Sequence, residues 1–200
     1  MKNILHIISS PRGEASVSIQ LGNAIVGELA ETFPGSTVTE LNLATNPLPH
    51  IDEITVSALR TPADQHSEIQ KEVIKASDTA IAQLIAADIL VIGVPLYNFG
   101  VPSHLKSWLD HVVRAGKTFS YTAGGPKGLL ENKKVYVAFS SGAVYSDGPY
   151  KAFDFATPYL SAVLAWIGIQ DVTIIRAEGL GIPDLQATAL EKAIEAIDIV

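Results

Sequence analysis

The sequence predicts an α/β protein built on a doubly wound, five-stranded parallel sheet of strand order 2-1-3-4-5, with helices on both faces. Three observations predict it. Short apolar runs alternate with amphipathic stretches along the whole chain. One of the runs, "DILVIGV" at 88–94, has no polar side to turn toward water, as expected of a strand buried on both faces. Small, polar and aromatic residues gather directly after the first, third and fourth runs, where an open parallel sheet binds ligands.

Each element has its own warrant. "NILHII" (3–8) is a first strand, followed by the loop "SSPRGEAS" and a helix in which Leu21, Ile25 and Leu29 recur every fourth residue. "TVTELNL" (37–43) alternates as a second strand, and 67–87 reads as a long helix leading into the third strand. Leu105, Trp108, Leu109 and Val112 mark the next helical face. "KVYVAF" (134–139) is a fourth strand, 158–168 a helix, "DVTIIRAE" (171–178) a fifth strand, and 185–197 one closing helix. Two long connections remain, 44–66 and 115–132, and ordered connections of that length tend to serve as lids or contact surfaces.

Composition narrows the class. A chain of 200 residues with 48% hydrophobic content suits a single domain over 1–200. A formal net charge of -7 with no run of Lys or Arg argues against nucleic acid. There is no cysteine, so disulfides, thiolate nucleophiles and cysteine metal sites are excluded, and redox chemistry requires a bound cofactor. The apolar start after Lys2 is too short for a signal core, and no run reaches the roughly 20 residues that span a bilayer. A cytoplasmic protein, free of membrane, is expected. His6, His50, His66 and His104 show no metal-ligand spacing, and no metal site is expected.

The loops carry the binding chemistry. Ser9, Ser10, Ser16 and Ser18 stand where the first helix begins, and hydroxyls beside open N–H groups hold a phosphate without much positive charge. Helix capping by Ser16 or Ser18 is the plainer reading. In "PLYNFG" (95–100), Pro95 and Gly100 bracket a turn on which Tyr97 and Phe99 can flank a planar ring; ordinary core aromatics are the alternative. Ser140, Ser141, Gly142 and Ala143 form a small polar loop that lets backbone approach a ligand, or a plain turn. A phosphate site and a ring platform at the reversal of strand order suggest FMN. A dinucleotide fits less well, because Gly179-Leu180-Gly181 lacks its third glycine and follows the fifth strand.

"PLYNF" at 95–99, "SS" at 9–10 with "SVS" at 16–18, "TFSYT" from 118, "DGP" at 147–149 and "TPYL" from 157 together resemble the FMN-dependent NADH:azoreductases, which also reduce quinones. The resemblance runs from the first strand to the last helix. It implies a flavodoxin-like fold, a homodimer with two FMN sites at its interface, and NADH or NADPH as cosubstrate. It places FMN contacts on Ser10, Ser16, Val17, Ser18, Leu96, Tyr97, Asn98, Phe99, Ser140, Ser141, Gly142 and Ala143. Ser141-Gly142-Ala143 stands where members often carry Arg-Gly-Gly, and Leu96 where many have Met.

The reaction expected on this basis is ping-pong reduction of azo compounds to aromatic amines and of quinones to hydroquinones, with no protein side chain as catalytic nucleophile. Phe119 and Tyr121, beside Gly124-Gly125, suggest a mobile lid, with surface packing as the alternative. Arg60, the one Lys or Arg in 44–66, is a candidate for the cosubstrate's phosphates, against a solvated or interfacial ion pair. A flavodoxin-type electron carrier shares the fold. A phospho-acceptor domain would need acidic residues where Ser9-Ser10 and Pro95-Leu96 stand, and a serine hydrolase would need G-x-S-x-G, which is absent.

Overall fold

The computed structural model describes residues 1–199. Five strands, β1 (Asn3–Ile8), β2 (Thr37–Asn42), β3 (Ile89–Pro95), β6 (Lys134–Ser140) and β7 (Asp171–Ala177), form one parallel sheet in the order β2-β1-β3-β6-β7. By position among the sheet strands this is the expected 2-1-3-4-5. A separate antiparallel hairpin, β4 (Phe119–Thr122) with β5 (Gly125–Gly128), fills most of the second long connection.

The sheet's side chains alternate between two cores because successive residues of a strand point to opposite faces. On one face Leu5, Ile7, Leu90, Ile92, Val137 and Phe139 pack against α3 (Glu68–Ala86), α4 (Ser103–Val112) and α5 (Ala156–Trp166). On the other, Ile4, Val91, Tyr136 and Ile175 meet α1 (Val17–Thr32) through Leu21, Ile25 and Leu29. All seven residues of β3 are buried, as its unbroken apolar run predicts. Each Leu or Ile removed from water in this way contributes roughly 1.5–3 kcal/mol.

Two differences from the sequence reading concern the ends of elements and the long connections. The connection 44–66 contains α2 (Glu53–Arg60), which packs against α3. Its start is fixed by Asp52, whose carboxylate accepts from the Thr55 N–H at 2.7 Å, as an N-cap should. The closing segment is two short helices, α6 (Pro183–Gln186) and α7 (Ala189–Glu195), broken between them at Ala187 and Thr188. The long α3 is set by a capping box in which Ser67 and Gln70 satisfy each other's backbone N–H.

His6 lies in the middle of β1, 3% exposed, with its Nε2 unpartnered. It faces α1 at Gly22, where an added Cβ would stand 2.7 Å from that nitrogen. Burial alone pushes its pKa down from 6.5 to about 4. A base with a depressed folded pKa is neutral in the native state while the unfolded chain takes up a proton. The native state therefore keeps its full stability above pH 6.5 and loses it as pH falls from 6.5 toward 4. At about 1.4 kcal/mol per pH unit the loss is about 3 kcal/mol. Urea unfolding at pH 7 and pH 4.5 should show this drop in the parent protein and a much smaller one in His6→Leu; equal drops would assign the acid sensitivity to other groups.

Candidate functional site

The loops that leave the carboxyl ends of β1, β3, β6 and β7 enclose a pocket of about 300 Å³. Its position follows from the strand order. The chain leaves β1 toward one face of the sheet and β3 toward the other, so a crevice opens between them.

The loop after β1 brings Arg12, Ser16 and Val17 to the pocket. A short 3-10 turn over Gly13–Ala15 carries the chain to Ser16, which is extended, and α1 starts at the next residue. No side chain caps this helix, because the Ser16 and Ser18 hydroxyls bond each other at 3.0 Å. The capping alternative is therefore not what the serines do. An uncapped first turn leaves N–H groups and the positive end of the helix dipole facing the pocket. Arg12 adds a guanidinium that makes no ion pair among the described residues. Ser9 and Ser10 are buried beneath: the Ser9 hydroxyl donates to the Gly93 carbonyl at 2.6 Å, and the Ser10 hydroxyl accepts from the Arg12 N–H at 3.3 Å.

The loop after β3 contributes Pro95, Leu96 and Tyr97. Leu96 donates its N–H to the Ser140 carbonyl, extending the β3–β6 ladder one residue into the pocket wall. Tyr97 and Gly100 then exchange backbone bonds at 3.2 and 3.0 Å around Asn98 and Phe99, whose φ angles are 48° and 69°. Two positive φ values make a mirror-type turn that suits Asn-Gly; Phe in the second place is strained by roughly 1–3 kcal/mol. Tyr97 is 39% and Phe99 44% exposed, so neither is a core aromatic. Phe99 packs instead on Phe153 at 5.5 Å and Tyr145 at 6.5 Å between ring centroids.

The loop after β6 presents Ser140, Ser141 and Gly142, and the loop after β7 presents Leu180 and Gly181. Backbone bonds zip the two together: Gly181 donates to Gly142 at 2.8 Å, Leu180 to Ser141 at 3.1 Å and Gly179 to Ala143 at 3.2 Å. A Cβ built on Gly142 would meet nothing within 4 Å, so its backbone borders open space.

Of the residues expected at a site, the structure therefore gathers Ser16, Val17, Leu96, Tyr97, Ser140, Ser141 and Gly142 around one pocket. Ser10 and Ser18 support its floor, and Asn98 and Phe99 form the outer turn. Ala143 lies behind the wall, its carbonyl accepting from the Ser141 hydroxyl at 2.8 Å. Sequence reasoning missed Arg12, Leu180 and Gly181. Arg12 stands among the serines, and Leu180 and Gly181 belong to a G-x-G that in the sequence reads only as an incomplete dinucleotide fingerprint.

Arg60 is exposed in the last turn of α2 and does not line the pocket. The hairpin does not cover it either. Leu130, just beyond β5, donates to the Ile167 carbonyl, and Phe119 packs on Trp166 at 5.6 Å, which ties the hairpin to the carboxyl end of α5. That end of α5 leads into the start of β7, opposite the pocket. A lid over the chain's own site is thereby corrected to an arm rooted at the far end of the sheet, with Tyr121 73% exposed on it.

An anion seat joined to a flat apolar and backbone-lined wall suits a phosphorylated planar heterocycle. A family model described as a flavodoxin-like fold matches residues 2–199. An FMN-dependent NADH:quinone oxidoreductase of Aromatoleum aromaticum is 47% identical over 191 residues, covering 96% of this chain and 93% of that one. This chain belongs to the flavodoxin-like FMN-dependent NADH:quinone oxidoreductase family. Another member, from Beijerinckia indica, is 43% identical over 98% of both chains. Among solved members of the flavodoxin-like fold, the azoreductase of Bacillus anthracis superposes with a TM-score of 0.89 at 30% identity, covering 98% of each chain. An FMN-dependent NADH-azoreductase of the same organism, crystallised with FMN, gives 0.87 at 29% identity, covering 98% of this chain and 97% of that one.

The strained turn makes a prediction. Phe99→Gly should leave unfolding free energy unchanged or raise it by about 1 kcal/mol, because glycine accepts the positive φ without cost. Denaturant unfolding that showed a loss above about 1 kcal/mol would mean that the Phe153 and Tyr145 contacts outweigh the strain.

Proposed function

We propose that the chain, as a single domain over residues 1–200, binds FMN in this pocket. It would then use NADH or NADPH to reduce quinones to hydroquinones and azo compounds to aromatic amines. The observation that carries this reading is the uncapped N-terminus of α1, with Arg12 beside it, sharing one pocket with Tyr97, the first residue of the turn at 97–100. Ser10, Ser16, Val17 and Ser18 would hold the phosphate, Ser16 and Ser18 with their hydroxyls and the first turn of α1 with its N–H groups. Leu96, Tyr97, Asn98 and Phe99 would support one side and edge of the ring, and Ser140, Ser141, Gly142 and Ala143 the other edge through backbone groups.

The bound cofactor would supply two-electron hydride chemistry, which a chain without cysteine does not have in its own side chains. The protein's part is to seat, orient and shield. Pro95, Leu96 and the loops zipped at Gly142 and Gly181 line one side of the pocket, and donor and acceptor would take turns on the side left open. An azo bond needs two such rounds to become two amines, and a quinone needs one.

A homodimer is part of the proposal. Leu109, Val113, Tyr159, Ala162, Val163 and Trp166 line a second, open groove of about 430 Å³ on α4 and α5, largely apolar and continuous with the hairpin through Trp166 and Phe119. A second copy of the chain is the occupant that buries this face together with the protruding arm. No described helix is long and apolar enough to cross a membrane; small-molecule substrates met in the cytoplasm are part of the proposal.

Initial rates with NADH and a quinone varied together should give parallel double-reciprocal lines, and sedimentation should return twice the chain mass. Intersecting lines would contradict the alternating use of one face; a monomer would contradict the dimer.

A further inference from the structure

Beside the pocket wall lies a half-buried ionic network that nothing in the proposed chemistry uses. Arg176, the penultimate residue of β7, donates from Nη2 to the Asp154 carboxylate at 2.9 Å and to the Thr157 hydroxyl at 2.9 Å. Its Nη1 reaches Glu178 Oε1 at 3.3 Å, and its guanidinium stacks over Phe139 at 4.7 Å. The side chains of Arg176, Glu178 and Asp154 are 22%, 9% and 6% exposed. Drawing these charges largely out of water costs desolvation that apolar packing would avoid.

Glu178 has a second set of partners. Its Oε1 accepts the backbone N–H groups of Tyr145 at 2.8 Å and Ser146 at 3.0 Å. Those two residues follow, after Val144, on Ser141, Gly142 and Ala143, the segment assigned to the ring edge. Tyr145 in turn packs against Phe99 of the strained turn and against Tyr150. Asp154 completes the frame by accepting the Thr157 N–H at 2.9 Å and hydroxyl at 2.6 Å at the start of α5. Burial opposes its ionisation, but the Thr157 and Arg176 bonds outweigh burial and hold its carboxyl below the usual value.

We propose that Glu178, oriented by Arg176, is a positioning residue that fixes the 141–146 loop and Tyr145, so that the ring-binding wall exists before the cofactor arrives. The inference rests on the reading that residues 140–143 contact FMN. A loop held in advance loses no ordering entropy on binding, and two bonds to a carboxylate are of the stronger, charge-assisted kind. Removing them should appear in cofactor affinity.

The experiment is fluorescence titration of FMN into the apoprotein of the parent, Glu178→Ala, Glu178→Gln and Glu178→Asp, with thermal melting of each. Glu178→Ala should weaken FMN binding by about tenfold or more, in line with the loss of two charge-assisted bonds. Glu178→Gln keeps an acceptor at the same reach and should return affinity to within about threefold of the parent, a rescue that general loosening would not produce. If Glu178→Ala does not fold, Glu178→Asp serves: it keeps a charge for Arg176 but withdraws from Tyr145 and Ser146, and should bind FMN about tenfold more weakly. Unchanged affinity in the variants, with or without lower melting temperatures, overturns the positioning role and leaves the FMN reading standing. A parent protein that takes up no FMN overturns both.

Discussion

The whole arrangement depends on β3 being paired along both edges and covered on both faces. Its seven residues are buried between β1 and β6, with α1 on one side and α3, α4 and α5 on the other. A strand enclosed in this way has nowhere to present a polar group except at its end. Chemistry is thereby forced to the carboxyl ends, and the reversal of strand order between β1 and β3 decides where along that edge a crevice opens. Leu96, whose N–H continues the ladder to Ser140, is where the sheet gives way to the pocket.

Local rules are broken there in ways that stability alone does not explain. The first turn of α1 goes uncapped although two serines stand in place to cap it, and Phe99 holds a φ of 69° where glycine would sit without strain. Each departure costs about a kilocalorie per mole or more, and each lies beside a residue that lines the same pocket, Ser16 and Val17 in the one case and Tyr97 in the other. Such costs are carried by the rest of the fold: the two cores on either face of the sheet, and the capping box of α3, which obeys the local rules the site ignores.

The legible parts of the sequence were those where one physical signal dominated. An unbroken apolar run means a strand buried on both faces, and a four-residue repeat of Leu21, Ile25 and Leu29 means a helix on a core; both hold in the structure. The pocket was legible because strand order fixes its place before any side chain is considered. The hairpin was not: "GPKG" has neither alternation nor β-branched residues, and it becomes a strand only through pairing with "FSYT". The α2 helix could have been found from Asp52 three residues before Thr55, a capping signal overlooked inside a long connection. The break at Ala187 and Thr188 has no Pro or Gly to announce it. The Arg176 network joins residues 22 and 33 positions apart in the chain, a pairing that no local pattern encodes.

The visible absorption spectrum of the purified protein, recorded before and after NADH is added without air and followed by identification of the released chromophore, tests the central claim most directly. Flavin bands that bleach on NADH addition, with FMN as the released compound, are the predicted result. A protein that stays colourless after incubation with FMN would contradict the account and return the pocket to a binding role without redox chemistry.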